Sequence, residues 1–395
     1  MRSTAAKALK VGIETHFLDV DGHIYTDMMF DYEYWHEYVE VFDEVVAIAR
    51  VGHADQVPKD WLRADGEHVR FQAVYDYLGF WNFLRHLPRV FRDCGRAVAE
   101  PGPVLLRMGN ISFMCWLHLM LARRPYAFEV VGHAGLGATT VKNVQLLHLG
   151  RLIGWVQHRL CRIQASRAAC ASYVSEYVRS LYPTRCGREW VFSSVKLPDS
   201  AYREPRSEQA FDHTRKRIVS VGRVEPEKGH HVLIQAAAEM KRGGFDDFTV
   251  DIAGPGSRIE AMRQLAAELG VADHVKLLGF VQPGPNLESL LDRSDLFVLP
   301  SLTEGMPRAR LEALARGLPA IGSRTGGITE VLPQGSQVSP DDAQTLANVI
   351  VSSAGNPERL AAMSRQGVAT ARAYRHDLMN DRKHAFWRTI VAMAR

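Results

Sequence analysis

The sequence contains no apolar run near the ~18 residues that a membrane-spanning helix requires, and no low-complexity tract. Its opening stretch, MRSTAAKALKVGIETHFL, lacks the apolar core of a signal peptide. Together these absences give the expectation of a cytoplasmic protein. Cysteine is scarce: Cys94, Cys115, Cys161, Cys170 and Cys186 are scattered, odd in number, and never form a C-x-x-C pair. That excludes a sequence-legible zinc site or disulfide framework, and the thiols are expected to be reduced. No zinc finger, basic zipper or ribonucleoprotein motif occurs, so a nucleic-acid partner is not expected.

What is present is ordinary globular composition, 46% hydrophobic and 23% charged over 395 residues, enough for two to three domains. The net charge of +4 is unevenly spread. Residues 11–46 carry ten acids and no Lys or Arg, whereas residues 81–196 carry 16 Lys/Arg against five Asp/Glu. A basic surface of that kind favours an anionic partner.

The second half alternates buried-strand and helix patterns. Strands are expected at 217–222, 248–254, 275–280, 296–301 and 319–324, with helices near 229–242, 257–269, 286–293, 307–316 and 341–355. This alternation predicts a parallel sheet covered on both faces. The first half is less regular, with strands expected near residue 10 and at 43–51, 103–108, 126–133 and 168–175, and an amphipathic helix at 146–163. A polar stretch lies between the halves. The organisation read from this is an N-terminal Rossmann-like domain over 1–198, a linker over 199–216, a second Rossmann-like domain over 217–380, and a C-terminal helix over 381–395 that packs back on the first domain. Two such domains would face each other across a cleft at the strand C-termini, where ligands bind in open α/β sheets.

Residues 304–317, EGMPRARLEALARG, follow the strand LFVLPS. Pro307 suits a first helical position and Gly317 the residue after the last turn. The N–H groups and dipole at the helix start then form a ready anion site. Glu312 lies five residues in, on the order of 7.5 Å along the axis, and its side chain tilts back toward the start. Glu304 approaches from the preceding loop. One carboxylate can take a ribose diol and the other a polyhydroxyl group, on opposite sides of a phosphate, which is the layout of a sugar nucleotide. The alternative is an amphipathic helix with solvated glutamates. In VGRVEPEKG (221–229), Arg223 and Lys228 follow another strand. Such cations would stabilise a diphosphate as it departs; the alternative is a solvated basic loop.

From VGRVEPEKG to GGITEVL the chain resembles the C-terminal domain of family 4 retaining glycosyltransferases. The shared features are R-x4-K (Arg223, Lys228), the turn Gly254–Gly256, LGFV (278–281), LPS-x-x-E-G (299–305), the pair Glu304 and Glu312, and GG-x-x-E (Gly326, Gly327, Glu330). The resemblance implies the GT-B fold. It implies that Arg223 and Lys228 hold a diphosphate, Glu312 a ribose, and Glu304 the transferred sugar. Gly305, Met306 and Pro307 would offer backbone groups, and Gly22, Gly222, Gly254, Phe280 and Val281 complete the expected donor contacts. In the first half, SYVSEYVRSLYP (172–183) and GHAGLG (132–137) resemble family segments more loosely, the latter supplying His133 as an active-site histidine or a loop-capping residue. The sequence departs from the family at LDVDGHIYT (18–26), which has Gly22 in place of a glycine pair, and at SSVKLPDS (193–200), which replaces N-G-V-D. Asp19 and Asp21 form a D-x-D, but with charge already supplied by Arg223, Lys228 and a helix terminus, neither metal nor cofactor is expected.

The function so implied is retaining transfer of a sugar from a UDP- or GDP-sugar to a hydroxyl of a saccharide or lipid-linked acceptor, in polysaccharide or glycoconjugate synthesis. A nucleotide-sugar epimerase and a non-catalytic sugar-nucleotide-binding protein are the rival readings. FWNFLRHLPRVFR (80–92) interleaves aromatics with Arg85, Arg89 and Arg92. It reads either as a peripheral dock for an anionic membrane surface or as an ordinary amphipathic helix.

Overall fold

The structure, a computed structural model, describes residues 8–27, 30–134, 144–193, 195 and 197–393. Gly135, Leu136 and Gly137 of the GHAGLG segment, with Ser194 and Lys196, lie outside the described residues.

The N-terminal sheet is built from β1 (Leu9–Val20), β2 (His23–Thr26), β3 (Val45–His53), β4 (Leu62–Arg63), β5 (Val69–Val74), β6 (Val104–Arg107), β7 (Ala127–Val130), β8 (Cys170–Tyr173) and β9 (Glu189–Val191). Its parallel part runs β5-β3-β1-β6-β7-β8-β9. The apolar runs of β3 and β8 are buried on both sides, because helices cover both faces of a parallel sheet. One face packs against helices Leu87–Ala99 and Asn110–Leu121 through Val90, Cys94, Ile111 and Leu119. The other packs against helix Tyr32–Val39 through Trp35 and Tyr38.

The C-terminal sheet consists of β10 (Lys216–Val221), β11 (Phe248–Ala253), β12 (Val275–Gly279), β13 (Leu296–Leu299), β14 (Ala320–Ser323) and β15 (Gln337–Val338). All are parallel, in the order β12-β11-β10-β13-β14-β15. This is the doubly wound order in which the winding reverses between the first and fourth strands. The reversal falls between β10 and β13, so the loops after those two strands diverge and leave a crevice between them. Arg223 and Lys228 sit on one of these loops, Glu304 on the other.

The stretch between the sheets is not loose. Arg206 donates through its guanidinium to the carbonyls of Ser294 and Leu291, and its N–H to Ser364 Oγ, while Phe211 is buried in the C-terminal core. Helix His376–Met393 returns to the N-terminal sheet: Trp387 lies 4.4 Å from Tyr38 between ring centroids, and Lys383 pairs with Glu37 at 2.6 Å. The helix expected at 307–316 spans Arg308–Ala315, with Pro307 as its extended cap (φ −72°, ψ 116°) and Gly317 at φ +67° beyond its end.

One expectation is corrected here. The resemblance implies a donor contact at Gly22, in a loop after the first strand. Instead β1 runs on to Val20, and Asp21 (φ 53°) and Gly22 (φ 81°) form the two-residue turn into antiparallel β2. A positive φ at both central residues is the signature of a hairpin turn, and Asp-Gly is a favoured pair for it. Asp19 accepts the Gly22 N–H at 2.9 Å, and a Cβ on Gly22 would meet nothing within 4 Å. Gly22 therefore makes the turn into β2, and no helix follows β1 here.

Candidate functional site

Glycine lets the two loops of the crevice interlock. A Cβ on Gly229 would lie 2.1 Å from Pro300 O, and the Leu302 N–H donates to Glu227 O at 2.9 Å. That contact carries Lys228 to Glu304, and Lys228 Nζ lies 2.5 Å from Glu304 Oε1. Ser301 Oγ donates to the same oxygen at 2.7 Å. The pair is shielded, with side-chain exposures of 20% for Lys228 and 7% for Glu304. Arg223, on the same loop, is 66% exposed and pairs with Glu227 at 2.9 Å. Behind them the Gly254–Gly256 turn nests against residues 222–224: Cβ atoms on Gly254 and Gly256 would lie 2.0 and 2.3 Å from Gly222 O and Val224 O. Gly222 itself has room, with only Lys228 Cδ near.

The helix that follows Glu304 lines a cavity of its own. Arg308 and Glu312 line a cavity of about 400 Å³, whose far wall includes Tyr34 of helix Tyr32–Val39, Arg107 and Glu129 of the N-terminal sheet and Lys383 of the last helix. Burial pushes the Glu312 carboxyl above its ordinary range, and Arg308 opposes this. Glu304 precedes this helix and pairs with Lys228, while Glu312 lies within it and faces the cavity. Phe280 is exposed and Val281 half-buried at the end of β12.

A second glycine lock joins this loop to the next. The Gly327 N–H donates to Gly305 O at 2.8 Å, and a Cβ on Gly326 would lie 1.7 Å from Glu304 O. Met306 packs beneath. Sequence reasoning passed over Arg310, whose guanidinium is fully buried and donates to Gly327 O at 3.1 Å. It stands at a helical position whose neighbours Leu311 and Leu314 are core residues, so nothing in the pattern separates it from a solvated arginine. It also passed over Ser301, whose signal was its place three residues before Glu304.

His133 lies across the crevice, after β7. Its Nδ1 is 2.9 Å from Ala134 O, and its ring stacks on His158 with centroids 5.2 Å apart. Tyr182 OH bonds His158 Nδ1 and accepts the Ala134 N–H, both at 2.9 Å. Burial, then the His133 charge, lowers the His158 pKa. His133 reaches the donor loop through its own strand end, for a Cβ on Gly305 would lie 2.8 Å from Val131 O. Thus Lys228, Glu304, Gly305 and Ser301 are gathered at one point with the His133 strand end against it, Glu312 lines a separate cavity, and Gly22 lies in the β1–β2 turn.

Residues 202–369 match the family model described as glycosyl transferases group 1. Protein CapJ of Staphylococcus aureus is 23% identical over 328 residues, covering 82% of this chain and 81% of CapJ. The GDP-mannose-dependent alpha-(1-6)-phosphatidylinositol monomannoside mannosyltransferase of Mycolicibacterium smegmatis is 28% identical over 240 residues, 55% of this chain; the chain spans 62% of that relative's length. Among solved structures, Anabaena HepE in complex with UDP-glucose superposes with a TM-score of 0.65 at 16% identity, over 98% of this chain and all of HepE. Residues 202–369 thus resemble glycosyl transferases group 1, and the chain as a whole carries the GT-B fold of its solved neighbours.

Proposed function

We propose that the protein transfers a sugar from a nucleotide-sugar donor to an acceptor hydroxyl, with retention and without a metal ion, in the assembly of a polysaccharide or glycoconjugate. The observation that carries this is the shielded Lys228–Glu304 pair at the winding reversal, with Glu312 in the helix that follows. A diphosphate lying over residues 305–307 takes the helix N–H groups and Lys228, and Arg223 swings in from its exposed pairing with Glu227. Lys228 then exchanges Glu304 for phosphate, leaving Glu304 to accept hydroxyls of the sugar. Glu312 accepts the ribose diol. The acceptor attacks on the face the diphosphate leaves, and the departing phosphate oxygen takes its proton. The protein supplies position and charge, and no side chain need bond to the sugar.

The solved neighbour binds UDP-glucose and the curated mannosyltransferase is named as GDP-mannose-dependent, so UDP- and GDP-sugars are the first donors to test. A thermal-shift panel of UDP, GDP, ADP and their sugar conjugates decides. A donor at ~100 times its Kd stabilises by roughly 2.7 kcal/mol. Product analysis with and without saccharide acceptors then separates transfer from epimerisation and from mere binding. An activity abolished by chelator and restored by a divalent cation would remove the metal-free mechanism.

We also propose peripheral docking at an anionic membrane. Trp81 and Leu84 are 71% and 42% exposed beside exposed Arg85, Arg89 and Arg92. On the same helix layer, helix Val144–Arg167 exposes Leu152, Trp155 and Ile163, and it contains no acidic residue. Apolar side chains among cations suit a headgroup boundary. No helix among the described residues is long and apolar enough to cross a membrane.

A further inference from the structure

Glu330 leaves its own domain. It lies on the short helix Ile328–Val331 after the Gly326–Gly327 turn, in the C-terminal half. Its carboxylate accepts the N–H of Glu176 at 3.1 Å and that of Tyr177 at 2.5 Å, both in the N-terminal half. These N–H groups open helix Glu176–Leu181, and Ser175 Oγ takes the next one, from Val178, at 3.2 Å. Backbone donors in a first turn have no partner inside their own helix, so here the N-terminal half relies on a residue of the C-terminal half to satisfy two of them. A carboxylate bonded to two N–H groups forms strong, directional hydrogen bonds.

The same segment is fastened to the donor loop. Gly327 donates to Gly305 O, and Arg310, buried, donates to Gly327 O. Gly305 in turn abuts Val131 O, two residues before His133, and a Cβ on it would lie 3.5 Å from Val174 Cγ2, two residues before Glu176. Glu330 and Gly305 therefore touch the ends of β7 and β8 side by side.

We propose that Glu330 is a positioning residue, a latch that fixes the His133 strand end against the Glu304–Gly305 loop and so sets the gap across which transfer occurs. This rests on the transferase reading for its effect on rate, though not for its effect on geometry. Neither Arg223, Lys228 nor Glu312 depends on the latch, so the nucleotide keeps its affinity without it.

The test uses Glu330→Gln, which keeps shape but turns one acceptor into an amide donor facing an N–H, alongside Glu330→Ala. Cys186 is exposed while Cys94, Cys115, Cys161 and Cys170 are buried. Spin labels on Cys186 and on a cysteine placed by Glu358→Cys then report the separation of the halves. The wild type should give one narrow distance distribution, and both Glu330 variants a broadened or displaced one. Affinity for the nucleotide that shifts the wild-type melting most should stay within twofold by calorimetry. Turnover should fall tenfold or more with little change in donor KM. Superimposable distance distributions overturn the proposal, as does a loss of nucleotide affinity equal to the loss of turnover. If no donor supports transfer, the transferase reading fails, and the distance measurement still decides the latch.

Discussion

Lys228→Met and Arg223→Ala should look alike in an activity assay and unlike in a calorimeter. Both remove a cation from the leaving diphosphate, and loss of one such donor costs on the order of 10² to 10³ in rate. Their folded-state surroundings differ. Lys228 and Glu304 are 20% and 7% exposed. Removing the ammonium leaves a shielded carboxylate to which Ser301 Oγ still donates. Breaking a buried pair costs roughly 3–5 kcal/mol, and the partial exposure of Lys228 places this case near 3. At roughly 2–4 °C per kcal/mol, Lys228→Met should melt ~6–12 °C below wild type. Arg223 and Glu227 are 66% and 26% exposed and four residues apart, an arrangement worth about 0.5 kcal/mol or less. Arg223→Ala should therefore melt within about 2 °C of wild type. Adding Glu304→Gln to Lys228→Met should restore part of the lost stability, since no unpaired charge remains. Scanning calorimetry with initial-rate measurements reads both quantities. If Lys228→Met melts with Arg223→Ala, or if the double variant melts lower than Lys228→Met alone, the pairing argument is wrong.

Glu312→Ala should weaken nucleotide binding about 10- to 100-fold, the loss of hydrogen bonds to a charged acceptor, while Glu304→Ala should lower turnover and spare free-nucleotide affinity; equal losses of affinity by calorimetry would defeat the assignment. Because burial holds the Glu312 carboxyl above its ordinary range, wild-type affinity should begin to fall on acidification before an ordinary carboxylate protonates, and Glu312→Ala should lack that inflection. His230 is buried and held neutral, its pKa lowered to about 4, chiefly by burial and then by Lys228 and His231. The unfolded chain takes up this proton near pH 6.5, so stability present above that pH is lost as pH falls toward 4, about 3 kcal/mol in all; His230→Leu should flatten that stretch of the denaturation profile relative to wild type, and parallel profiles would rule the assignment out. The wild type should sediment with anionic vesicles at low salt and be released by salt, and Arg85, Arg89 and Arg92 changed together to Ser should abolish this without lowering the melting temperature; wild type left in the supernatant at low salt would end the docking proposal.

The C-terminal half was the more legible because its chemistry is local. Its strands are short apolar runs separated by helices of ordinary length, and its site residues lie within a few residues of strand ends. Spacing left Glu304 and Glu312 either serving one helix start or solvated, and the structure shields Glu304 and partly buries Glu312. The N-terminal half defeats that reading at β1. LKVGIETHFLDV looks like a strand followed by a loop, yet it pairs with β3 on both sides of an irregularity between Gly12 and His16 and ends in a hairpin. The turn signal was there in Asp21-Gly22 followed by HIYT. It was read as a ligand loop because nothing in the sequence distinguishes a glycine needed for positive φ from one needed for close approach.

The contacts that decide the site were beyond periodicity for a different reason. Lys228 and Glu304 are 76 residues apart and Glu330 and Tyr177 are 153 apart, so each partner carries half of a signal whose other half is set by tertiary packing. The free protein therefore neutralises its cations internally: Lys228 with Glu304, Arg223 with Glu227. This has a chemical consequence for a site that must hold a diphosphate. A shielded cation without a counter-ion is costly, and Glu304 is that counter-ion in the free protein. In the proposed mechanism phosphate takes the place of the carboxylate beside Lys228. The displaced Glu304 is then left beside the sugar with its acceptors open. In the proposed mechanism one ion pair would thus link occupation of the phosphate subsite to activation of the sugar subsite, and a nucleotide diphosphate alone should suffice to free Glu304.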